Sequence, residues 1–148
     1  IEHPLLRHRM MVLEAIADTK PWLDLRLTDA QLLADIAIGY DGLVMGADKW
    51  HQINDPVWYD NDPVERDRAI ARLPELAIAP RPPLEVPNQH VLDVHQDHHE
   101  VSSTKARGGE LELMTCHAQH FALETGAWIA PSRYEEWLTP HYPTDSAG

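Results

Sequence analysis

Cysteine is nearly missing from this chain. Its 148 residues hold one, Cys116, which excludes an internal disulfide framework and fits a reducing compartment, the cytoplasm. Long apolar runs are missing too: none approaches the ~20 residues that span a bilayer, so no membrane partner is expected. The opening stretch IEHPLLRHRMMVLEAIADT is broken by charges and carries no small-residue cleavage site, which argues against a signal peptide. Positive charge is scarce as well. Twelve Lys and Arg stand against 24 Asp and Glu, for a net charge of −12. From Glu85 onward ten acidic residues face three basic ones, Lys105, Arg107 and Arg133. Binding to a phosphate backbone draws on Lys and Arg to displace counterions, so nucleic acid is a poor partner for this half. The acidity either keeps the protein soluble or presents a surface to a basic protein partner.

What is present is an ordinary globular composition, 43% hydrophobic, in a length that suits one domain. The first half reads as helical. After Pro4, the residues Leu6, Met10, Leu13 and Ala17 recur at three- and four-residue spacing. A second helix is expected from Thr28, with Thr28 and Gln31 as a capping box and Leu32, Leu33, Ile36, Ala37 and Tyr40 as its apolar stripe, ending near Asp41-Gly42. The two helices are expected to pair antiparallel. Then the unit Asn-Asp-Pro-Val occurs twice in tandem, at Asn54 and at Asn61. Asp62, Pro63 and Glu65 predict a helix start there, running to about Leu73, and the first copy predicts a turn or one short helical turn.

Beyond the prolines at 80, 82, 83 and 87 the pattern changes. His90 to His95 and Leu111 to Cys116 alternate as strands do, Ala127 to Ala130 reads as a third strand, and PSRYEEW restarts a helix with Ser132 as its cap. Trp128, Tyr134 and Trp137 are expected to pack on that sheet. The fold class expected is therefore α+β. A helical region spans 1–77, a Pro-rich linker 78–88, a small antiparallel sheet with a short C-terminal helix 89–138, and a tail 139–148. The linker either separates two domains or crosses one.

The stretch QHVLDVHQDHHEVSS concentrates four histidines, His90, His95, His98 and His99. On a strand, Asp93, His95, Asp97 and His99 line one face. Farther on, TCHAQH supplies Cys116, His117 and His120. Imidazole, thiolate and carboxylate are the ligands that zinc takes, and four converging make a closed site. His95, Asp97, His99, Cys116, His117 and His120 are thus the candidate ligands for a divalent metal such as zinc, which would add about 10–16 kcal/mol to folding. The alternative is a solvated, hydrogen-bonded cluster that titrates near neutral pH.

The run from Asp93 to Trp128 resembles the core of the HNH endonucleases, the ββα-metal nucleases, on Leu111, Leu113, Cys116, His120, Gly126 and Trp128. The resemblance covers about a quarter of the chain. It implies a divalent ion with His95 and His120 as ligands, a histidine base that activates water, and an Asn that orients the base. Here the base position falls on Gln96 and the Asn position on Glu110. Shifting the loop makes Asp97-His98 the pair and gives His98 the catalytic base role. Two functions from different classes follow. One is non-catalytic protein–protein interaction or assembly, with Trp22, Trp50, Trp58 and Tyr59 as anchors. The other is a metal-dependent phosphodiesterase centred on His95, His98 and His120. The acidity favours the first.

Overall fold

The computed structural model describes residues 3–141. Two compact units divide the chain. One is the continuous segment Leu27–Glu100, and the other joins the chain up to Arg26 with the chain from Val101 onward.

The continuous unit holds the sheet. Helix α2 (Leu33–Ile36) leads to strand β1 (Gly42–Gly46), helix α3 (Ala47–Ile53), a 3-10 turn at Pro56–Tyr59, helix α4 (Pro63–Ala71) and strand β2 (Glu75–Ala79). Between the strands the chain crosses over through two helices, as a parallel pair requires. The strands pair in parallel, Gly42 beside Glu75 through Gly46 beside Ala79. Val91 adds a single parallel bridge on the far side of β2, at Ile78. Met45, Ala47, Ile53 and Ile78 form the buried centre, with Leu33, Leu43, Trp50 and Leu76 packed around it.

The tandem repeat explains the middle of this unit. Asp55 accepts the Val57 N–H at 3.0 Å and starts the 3-10 turn, while Asp62 accepts the N–H groups of Val64 and Glu65 and starts α4. Between them Asp60 and Asn61 take left-handed backbone at φ 55° and 59°. Short polar side chains tolerate that region better than most. Both copies of the repeat thus behave as the sequence predicts.

The discontinuous unit is helical among its described residues. It comprises α1 (Leu6–Ala17), α5 (Ser103–Arg107), α6 (Cys116–Thr125) and α7 (Pro131–His141), with a 3-10 turn at Leu111–Leu113. Val12, Phe121, Ala127, Tyr134 and Leu138 make its core, and Leu5, Ile16, Trp128 and Trp137 surround them. The sharp turn from α6 to α7 rests on Gly126, whose φ of +85° and whose clearance from Arg133 and the Ala130 carbonyl leave no room for a Cβ. Arg133 then donates to the carbonyl oxygens of Leu123 and Glu124, at 2.5 and 3.0 Å, and so closes the C-terminal end of α6.

Several expectations are overturned. The sheet is parallel, not antiparallel; β1 lies within the region expected to be helical, and β2 runs from its end into the expected Pro-rich linker. The run His90–His95 supplies one bridge and no strand, because Asn88–His90 coils into a 3-10 turn. Leu111–Cys116 is a 3-10 turn followed by a helix start, and 127–130 is a turn. The physical reason is Thr115. Its side chain accepts the Ala118 N–H and nucleates α6, whose buried positions Phe121, Ala122 and Thr125 follow helical spacing. Trp128, Tyr134 and Trp137 accordingly pack among helices rather than on a sheet.

The expected second helix shrinks to Leu33–Ile36, because Thr28 bonds locally to the Ala30 N–H and Gly39 turns left-handed at φ +84°. It belongs to a different unit from α1. In α1 the buried positions are His8 and Val12, whereas Leu6 and Leu13 are exposed. Helix α7 begins at Pro131, so Ser132 sits in its first turn, and Tyr134 bonds back to the Ala130 carbonyl. Helix α7 continues through His141, and the rest of the expected tail lies outside the described residues.

Candidate functional site

The histidines first singled out fall into two groups. His95, Asp97, His98 and His99 belong to the unit Leu27–Glu100, whereas Cys116, His117 and His120 belong to the other. His95 precedes the 3-10 turn Gln96–His98, and its Nδ1 accepts the Asp97 N–H at 3.3 Å. The same Nδ1 lies 3.3 Å from the Asp97 carboxylate, with both side chains well exposed. The rings of His95 and His98 are 6.3 Å apart, edge to face. His99 is used locally: its Nε2 donates to the Val94 carbonyl at 2.9 Å.

Because Cys116–Thr125 is a helix, Cys116, His117 and His120 do not alternate across a strand. All three line a shallow cleft of about 340 Å³ together with Glu124 and the α1 side chains Met11 and Val12. His120 lies 3.7 Å from the Glu124 carboxylate. Among the described residues, no three His, Cys, Asp or Glu side chains gather as metal ligands. None of the described helices is long and apolar enough to cross a membrane.

A different site is better formed. The 3-10 turn Pro56–Tyr59 carries Trp58 with 55% of its surface exposed. The Trp58 side chain lines two clefts that share residues, the two limbs of a groove. On one side lie Glu65, Arg68 and Arg72, around a space of about 620 Å³. On the other lie Ile36, Lys49, Gln52 and Ile53, around about 200 Å³, and Leu32, Trp58 and Tyr59 line both.

The turn that carries Trp58 and the residues just before it are held by two side-chain hydrogen bonds. Tyr59 donates its hydroxyl to the Ile53 carbonyl at 2.9 Å, and Arg66 donates to the Asn54 carbonyl at 3.3 Å. Burial raises the Tyr59 hydroxyl above its ordinary value, with the Arg66 charge opposing, so the phenol stays a neutral donor. The groove cations are held in turn: Arg68 pairs with Glu65, and Arg72 lies 3.3 Å from Asp35.

Of the four aromatic anchors read from the sequence, two are turned outward. Trp22 is 78% exposed and Trp58 about half, while Trp50 packs beside the core and Tyr59 is bonded in place. The groove walls were not foreseen. Arg68 on α4 and Arg72, which caps its C-terminal end, are four apart, a spacing that puts them on one face, yet nothing local says that Leu32 comes to meet them.

No family model, no curated protein and no solved structure matches this chain.

Proposed function

We propose that the chain is a non-catalytic protein-binding module that seats a basic segment of a partner protein in the Trp58 groove. The observation that carries this reading is the half-exposed indole of Trp58, which lines both limbs of the groove together with Tyr59 and Leu32. Large rigid aromatics beside arginine are the side chains that dominate binding energy at protein interfaces.

Charge supplies the partner's chemistry. The unit Leu27–Glu100 contains fourteen acidic residues and five basic ones. Each of its arginines already faces a carboxylate: Arg66 with Asp67, Arg68 with Glu65, Arg72 with Asp35 and Arg81 with Asp48. The excess over the unit is therefore negative, which attracts Lys and Arg and repels a phosphate backbone. The groove lining itself sets Lys49, Arg68 and Arg72 beside Asp60 and Glu65 and takes the segment's apolar anchor. The exposed thiol of Cys116 suits a reducing, cytoplasmic setting.

The test is selection of peptides from a random displayed library on the purified chain, with Trp58→Ala as the counter-target. Peptides rich in Lys and Arg around an apolar anchor are expected, and Trp58→Ala should weaken them by roughly 2 kcal/mol or more. Binders indifferent to Trp58→Ala would sink this reading. Cleavage of DNA in added zinc, manganese or magnesium, lost in His98→Ala, would replace it with the HNH-type phosphodiesterase.

A further inference from the structure

Strand β1 has one partner and one open edge. Gly42–Gly46 pairs with β2 on one side. Among the described residues, the backbone hydrogen bonds outside helices and sheet involve none of residues 42–46. Apart from the Gly46 carbonyl, which as N-cap serves the first turn of α3, the N–H and C=O groups that point away from β2 are thus left to solvent or to another strand. Sheet edges are ordinarily guarded by charge, proline or a bulge. This edge reads Gly-Leu-Val-Met-Gly, uncharged and without proline, and its register with β2 is unbroken.

Side chains alternate along it. Met45 is buried and Leu43 half-buried on the core face, while Val44 is 68% exposed on the other. Parallel strands are ordinarily covered on both faces, and an isolated pair is marginal.

The strand's own sequence says what fits. In antiparallel pairing about a two-fold axis at Val44, Val44 meets its own counterpart, Leu43 faces Met45 and Gly42 faces Gly46. Each pair matches in size, and the two core faces join without a step. In a chain of net charge −12, this neutral segment is also where two copies approach with little repulsion.

We infer that a second copy of this chain docks on β1 through Gly42–Gly46, antiparallel, so that the two sheets become one of four strands. A five-residue edge is small beside the roughly 1,200–2,000 Å² of a standard interface, so the dimer forms with rising concentration. The inference stands apart from the partner-binding reading, because Val44 lines neither limb of the Trp58 groove.

Sedimentation of the full chain over a concentration series tests it without any partner. The mass should rise from 16.8 kDa toward twice that value. Val44→Lys sets two ammonium groups face to face on the axis and should weaken the dimer by at least about tenfold, with circular dichroism unchanged. In a Cys116→Ser background, Val44→Cys should form a disulfide-linked dimer under mild oxidation, since facing Cβ atoms lie about 4.5–5.5 Å apart. Val57→Cys, exposed and off the strand, is the control. A monomer at every concentration, a dimer indifferent to Val44→Lys, or cross-linking no better than that of Val57→Cys would each overturn the inference.

Discussion

Nδ1 of His8 lies 2.5 Å from the hydroxyl oxygen of Tyr134, a contact that ties the start of α1 to α7 across 126 residues of sequence. The same oxygen accepts the Leu5 N–H at 3.0 Å, and the Arg7 guanidinium approaches the other ring nitrogen, Nε2, at 3.5 Å. These contacts assign the single ring proton of a neutral His8 to Nδ1, which donates to Tyr134. Phe121 and Trp137 complete the surroundings.

Burial first, and the Arg7 charge second, hold His8 below its ordinary value of 6.5. The folded chain therefore resists a proton that the unfolded chain accepts. Stability from this group is complete above pH 6.5 and is lost as pH falls through that value toward the lower folded one. Urea unfolding measured from neutral to mildly acidic pH should show this loss. His8→Phe, which cannot take the proton, should show a shallower decline, and equal slopes would contradict the assignment.

The turn from α6 to α7 depends on a missing side chain. A Cβ on Gly126 would sit 2.9 Å from the Arg133 Cβ and 3.0 Å from the Ala130 oxygen, on backbone at φ +85°. Gly126→Ala is expected to destabilise the fold by about 1–3 kcal/mol. The midpoint of urea denaturation reads this directly, and a wild-type midpoint would mean that the turn relaxes freely.

The two copies of the tandem repeat should differ in weight. Asp62 caps a nine-residue helix through two N–H groups, whereas Asp55 caps a single 3-10 turn through one. Asp62→Ala should cost about 1 kcal/mol and Asp55→Ala less. Thermal melts of the two variants compare them, and the reverse order would count against the capping account.

Each unit closes its core with its own apolar side chains. Chelation of divalent ions is therefore expected to leave the thermal midpoint of untagged protein where it was. A structural zinc would behave otherwise, since its removal forfeits about 10 kcal/mol or more of folding free energy. A fall on chelation that His95→Ala or His120→Ala abolishes would restore the metal to the account.

Local chemistry was readable in one dimension. The Asp-Pro pairs at 55–56 and 62–63 start their turns because a carboxylate, a missing N–H and a fixed φ act within three residues. The span of α1 and the restart near Pro131 follow from similar short-range signals. The turn that carries Trp58 follows for the same reason, with Pro56 and Asp60 on either side of it. The composition likewise set the sign of the charge.

Pairing between distant segments was beyond such reading. GLVMG and ELAIA are short apolar runs that suit a strand or a helix equally well, and their parallel register exists only once α3 and α4 bring them side by side. Leu111–Cys116 alternates like a strand, until the 3-10 turn at Leu111–Leu113 and the Thr115 cap settle it as the lead into a helix. His8 has Arg7 and Arg9 as neighbours, which do not mark it as buried; Tyr134 makes it a core residue. Short-range hydrogen bonds are written into neighbouring residues, whereas burial depends on which far-off side chain arrives, and that is a property of the packed chain.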